Sequence, residues 1–175
     1  MKSSLIALLI LVCATSCNIA DREGPLNKRT DEKIRKKVIL IGEDYIKGQV
    51  RDPEKILTPQ GIILIGDNFQ KYAIVPENIF LGLINNDSKV DAVLTLERFQ
   101  GQFQVPSEQL FIINQGGKLI LNKAIEFDMR VLQIKDGIIT ARVPSHDRSS
   151  PLFSCEECQD TINYRFNNGE LRKIE

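Results

Sequence analysis

The chain has 175 residues, with 23 Lys and Arg against 23 Asp and Glu, one His and no Trp. That length suits one medium-sized domain with a real core, and the balanced charge argues against the electrostatic footprint of a nucleic-acid binder. A single histidine makes His-based triads and multi-His metal sites hard to assemble, and 42% hydrophobic residues with 26% charged ones exclude extended disorder.

The first residues, MKSSLIALLILVCATSC, stand apart from the rest. Lys2 supplies a positive start and Leu5 to Val12 an apolar run, too short for a bilayer-spanning helix of about 20 residues, so the segment reads as a secretory signal. Ala14-Thr15-Ser16 ahead of Cys17 resembles the lipobox of bacterial lipoproteins. The resemblance implies a signal peptide over 1–16, acylation at Cys17 (palmitate among the chains) and a domain held on a membrane by its lipid. Ordinary signal-peptidase cleavage, with Cys17 left as a thiol, is the alternative. By analogy with lipoprotein sorting, Asn18 after the cysteine points to the outer membrane of a cell envelope, facing the periplasm or the surface.

Asn18 to Arg29 has almost no apolar periodicity and reads as a tether, so the expected organisation is a lipidated tether over 17–30 and one globular domain over 31–175. Thr30-Asp31-Glu32 has the hydroxyl and acidic residues of a helix start. Ile34, Val38, Ile41 and Tyr45 then share one helical face, which predicts a helix to about Lys47. Val38 to Ile41 is also a possible buried strand, and Gly42 interrupts the helical reading.

From Gly61 onward, short apolar or alternating runs predict strands over Ile62–Ile65, Tyr72–Val75, Ile79–Ile84, Val90–Leu96, Leu110–Asn114, Lys118–Asn122, Val131–Ile134, Ile138–Val143, Ile162–Phe166 and Glu170–Ile174. Gln115-Gly116-Gly117, Asp136-Gly137 and Asn167-Asn168-Gly169 are hairpin signals between them. Tight turns of this kind exclude parallel crossovers. The expected fold is therefore α+β and mainly β: an antiparallel meander in one curved sheet, with the N-terminal helix packed on one face.

Four groups of residues invite chemistry. Asn85-Asn86-Asp87-Ser88-Lys89-Val90-Asp91 resembles a calcium loop of secreted bacterial domains, with Asn85, Asp87 and Asp91 as candidate oxygen ligands. Leu83 at the first ligand position and Ser88 in place of the turn glycine make a plain polar turn the stronger reading, since calcium wants six to eight oxygens. Cys155 and Cys158 are the paired thiols of an exported chain and are expected to form a disulfide; thiol-redox chemistry and zinc are the alternatives, and the two glutamates between them work against a reactive thiolate. His146, in Pro144-Ser145-His146-Asp147, is expected to be an exposed loop residue. Lys28, Arg29, Lys33, Arg35, Lys36 and Lys37 form a basic segment, either the solvated face of the helix or a surface for anionic lipid.

The order of these signals is informative. A lipobox, the turn ending in Asp91-Ala92, the Leu110-Phe111-Ile112 strand, the Ile134 to Ile138 hairpin, a polar loop with two close cysteines and Tyr164-Arg165-Phe166 ahead of Asn168-Gly169 together resemble small secreted or lipid-anchored domains of the LppP/LprE type. That resemblance implies an envelope domain and transfers no catalytic residue. The expected function is a non-enzymatic binding domain whose partner is a protein or small ligand, with no catalytic residue and no resident cofactor. A periplasmic hydrolase, a thiol-redox enzyme and an immunity-type inhibitor are the rival readings.

Overall fold

The amphipathic segment near the start of the domain forms a helix, α1 (Lys28–Lys47), which begins two residues ahead of the expected Thr30 start. The computed structural model describes residues 28–85, 87–146, 155 and 158–174. Val38 and Ile46 are buried, with Ile34, Ile41 and Tyr45 packed beside them, while Leu40 faces outward, so the helical reading of Val38 to Ile41 holds over the strand reading. Gly42 marks a close approach: a Cβ there would stand 2.6 Å from Leu94 Cδ2 and 3.3 Å from Ile74 Cδ1. The helix closes through Gly48, whose N–H donates to the Tyr45 carbonyl at 3.0 Å.

Among the described residues ten strands follow: β1 (Glu54–Leu57), β2 (Ile63–Gly66), β3 (Gln70–Gly82), β4 (Asp91–Gln100), β5 (Phe103–Gln115), β6 (Lys118–Glu126), β7 (Arg130–Lys135), β8 (Ile138–Pro144), β9 (Gln159–Asn167) and β10 (Glu170–Ile174). Every pairing is antiparallel and sequential. All three expected hairpin turns are present. Asp136 with Gly137 and Asn168 with Gly169 take positive φ, the geometry of a two-residue turn that matches strand twist. The two expected strands over 72–75 and 79–84 are one long β3 with a register shift between Ile74 and Ile79.

The meander forms two sheets, not the single curved sheet expected. β1 to β6 make the first and β7 to β10 the second, with the break between Glu126 and Arg130. The reason lies in the middle strands. Ala92, Leu94, Leu96, Leu110 and Ile112 face α1, whereas Val93, Phe111 and Ile113 face the second sheet, so the first sheet buries both faces and forms the middle layer. Phe111 stacks on Phe166 with ring centroids 4.2 Å apart, joining the sheets at their centre. Gly82 permits a close approach of the two sheets, since a Cβ there would meet Ile134 at 2.6 Å. Among the described residues no helix is long and apolar enough to cross a membrane.

The helix runs antiparallel to β3. Arg35 Nη1 donates to the carbonyls of Ile79 at 2.8 Å and Pro76 at 3.2 Å, Gly42 lies on Ile74, and Tyr45 reaches Glu108 on β5. Lys28 therefore stands at the end of the sheet that carries the β3–β4 loop and the β5–β6 turn. The β2–β3 and β4–β5 turns lie at the opposite end, and the 20 residues of α1 span about 30 Å between them.

Candidate functional site

Of the residues singled out in the sequence, Cys17 lies outside the described residues, as does Asn86 of the polar loop. Asp91 opens β4 fully buried. Its Oδ2 accepts from the Ile84 N–H at 2.9 Å and the Asn85 N–H at 3.3 Å, and its Oδ1 accepts from the Asn114 N–H at 2.8 Å. Burial raises its carboxyl above the ordinary aspartate value, and the three N–H bonds pull the other way without cancelling that rise. Asn85 Oδ1 accepts from Asp87 N–H at 3.2 Å, and Asp87 Oδ1 from Lys89 N–H at 2.9 Å. All three candidate calcium ligands thus direct oxygens at backbone amides, and Ser88 adopts φ 62° where a glycine would be at ease. Among the described residues no group of three or more His, Cys, Asp or Glu is gathered to hold a metal.

The structure joins Cys155 to Cys158 by a disulfide. The Ser145 N–H donates to the Cys158 carbonyl at 3.0 Å, which fastens the bridge to the end of β8 beside exposed His146. The bridge thereby sits where the chain turns from β8 into β9. The basic segment divides. Arg35 is taken up by β3 carbonyls, whereas Lys28, Lys33, Lys36 and Lys37 are exposed.

A polar cluster that sequence reading did not single out lies under the C-terminal half of α1. Tyr45 Oη donates to Glu108 Oε1 at 3.0 Å, Gln70 Nε2 to Tyr72 Oη at 2.7 Å, and Arg98 Nη1 to Glu126 Oε2 at 2.6 Å. The Arg98 guanidinium also lies 5.8 Å from the Tyr72 ring centroid. Burial works against the Arg98 charge, but Glu126 and Glu108 outweigh it and raise the guanidinium further. Burial first and Glu108 second raise both Tyr45 and Tyr72. Among the described residues, buried Arg98 Nε and Glu108 Oε2 have no hydrogen-bond partner, which leaves the cluster one unused donor and one unused acceptor there. The sequence signal for it was polar residues breaking apolar strands: Arg98 after Val93-Leu94-Thr95-Leu96, and Glu108 with Gln109 ahead of Leu110-Phe111-Ile112-Ile113.

Beyond this cluster the middle sheet outruns both of its covers. Along β4 the burial ends at Leu96 and Gln100 is exposed; along β5 it begins only at Gln109, with Phe103 and Gln104 exposed. A cavity of about 210 Å³ opens on the helix side of this arm, beside Arg98, Gln100 and Glu126. A groove of about 360 Å³ opens on its other side, between the arm and the start of β7, with Asn78, Thr95, Glu97, Asp128 and Arg130 among its walls. At the tip, Phe69 and Phe103 are 64% and 78% exposed, and the Gly101 N–H donates to the Phe69 carbonyl at 2.6 Å, binding the two turns into one edge. Compared with known proteins, the chain matches no family model, no curated protein and no solved structure.

Proposed function

We propose that this chain is an exported, lipid-tethered envelope domain that works by binding, and that its partner is a protein docking on the projecting end of the middle sheet. The observation that carries the binding reading is the pair Phe69 and Phe103. Two large aromatic side chains stand in water on neighbouring turns that are hydrogen-bonded to each other, at the end of the domain remote from Lys28. Aromatic side chains held on rigid elements lose little entropy when a partner covers them and dominate the energetics of such contacts. The cavity and groove flanking them supply polar groups for the rim of such an interface. The tethering reading is supported by the order Lys2, Leu5 to Val12, Ala14-Thr15-Ser16 and Cys17, and the outer membrane by Asn18.

Two measurements test this. Cells expressing the full chain and fed labelled palmitate are expected to label it, and Cys17→Ala is expected to abolish the label; a labelled Cys17→Ala chain removes the tether. A photo-crosslinking phenylalanine analogue at position 103 is expected to give one discrete adduct in intact host cells, lost when Phe69→Ser is added. The same adduct from a probe at Lys173 on β10, or none from position 103, removes the docking surface. Turnover of a dithiol–disulfide pair or a simple ester that Cys155→Ser or His146→Ala abolishes would replace binding by catalysis.

A further inference from the structure

We infer that the outward face of α1 is a docking surface for an anionic phospholipid bilayer. Lys33, Lys36, Lys37, Leu40, Asp44 and Lys47 are all exposed, and their spacings of three, one, three, four and three place them on one stripe opposite Val38, Gly42 and Ile46. The stripe carries four lysines against one acid, and Leu40, 59% exposed, adds an apolar contact at its centre. Its acids offset it only in part: Asp44 lies 3.6 Å from Lys47 in an exposed pair. Glu43 is turned inward to Lys55 at 2.6 Å, and Glu32 meets Lys36 at 2.8 Å in an exposed pair that is cheaply exchanged for a lipid phosphate.

Arg35 settles which charges are offered and which are not. Its guanidinium is bound to the Pro76 and Ile79 carbonyls and pins the first half of the helix to β3, so the lysines project from a fixed platform. Placement favours a bilayer over other polyanions. Only 18–27 separate Cys17 from Lys28, and ten residues reach at most about 35 Å, so a lipid at Cys17 keeps the Lys28 end of this face within that distance of the headgroups. The surface extends the tethering reading, yet its failure is distinguishable, because it is tested without the lipid.

The test uses the chain from Asn18 onward, which keeps every described element since all of them begin at or after Lys28. Sedimentation with vesicles of phosphatidylcholine containing 30% phosphatidylglycerol, in low salt, is expected to carry the protein down, and pure phosphatidylcholine vesicles are not. Each lysine near such a surface contributes roughly fivefold to partitioning, so Lys33→Gln, Lys36→Gln and Lys37→Gln together are expected to weaken it by roughly 100-fold. The charge-matched set Lys71→Gln, Lys118→Gln and Lys173→Gln is expected to leave it unchanged, and circular dichroism confirms that both triple variants fold. Three results overturn the inference: no partitioning onto the anionic vesicles, equal losses in the two triple variants, or tighter binding to a short DNA duplex than to the vesicles.

Discussion

Replacing Gln109 tests how the two sheets are held together. Gln109 is fully buried in β5, and its amide is used at both ends. Oε1 accepts from Thr95 Oγ1 at 2.6 Å, while Nε2 donates to the carbonyls of Phe127 at 3.0 Å and Met129 at 3.2 Å, the segment that carries the chain from the first sheet to the second. Gln109→Leu keeps the volume and removes the amide. The Phe127 carbonyl retains the Ser107 hydroxyl at 3.3 Å, but the Thr95 hydroxyl loses its acceptor and the Met129 carbonyl its donor. Each buried polar group left unpaired costs about 1–3 kcal/mol, so the loss is roughly 2–6 kcal/mol. With a urea slope of about 2 kcal/mol/M, the unfolding midpoint followed by far-ultraviolet circular dichroism falls by roughly 1–3 M. Adding Thr95→Val removes the orphaned hydroxyl as well, and the double variant is expected to recover about 1–3 kcal/mol relative to Gln109→Leu alone. A single variant that loses less than about 0.5 kcal/mol, or a double variant whose losses merely add, would refute the assignment of this amide as the clasp between the sheets.

Three further outcomes follow from the buried ionisable groups. Asp91→Ala leaves three backbone N–H groups without their acceptor and is expected to cost about 2–4 kcal/mol in the same unfolding assay. Because burial raises the folded Asp91 carboxyl, its protonated form favours the fold; that contribution is complete below the unfolded value and is lost as pH climbs through the folded one. A carboxyl-carbon titration by NMR is expected to give a midpoint above the ordinary 3.8, and a lower one would mean that the amide bonds dominate. All three tyrosines, Tyr45, Tyr72 and Tyr164, are raised by burial, with Glu108 adding to the first two. The stability they supply is present below pH 10 and is lost as pH rises through their raised values, so tyrosinate absorbance is expected only above the ordinary 10.0; one full equivalent titrating there in the folded protein contradicts this.

The local elements are legible in the order of residues alone. The spacing of Ile34, Val38, Ile41 and Tyr45 specified the helix and its buried face, and Asp136-Gly137 and Asn168-Gly169 specified two-residue turns, because these choices depend on backbone sterics and on a periodicity confined to a few neighbouring residues. Short β1 was not legible, since Pro53 and Pro59 flank it and all four of its residues are exposed. Tertiary structure alone decided that the meander splits after Glu126. The runs in β4 and β5 are apolar at successive positions, and such a run records that both faces are buried without saying by what. Helix α1 was the cover visible in the sequence; the second cover is the chain's own last four strands, recruited through Phe166 onto Phe111 some fifty residues away. The polar groups divided in the same way. Asn85, Asp87 and Asp91 looked like ligands because their spacing is local, but their oxygens are spent on backbone amides, Asp91 on that of distant Asn114. Arg98, Glu108 and Tyr45 looked ordinary because only packing α1 across the sheet brings them together.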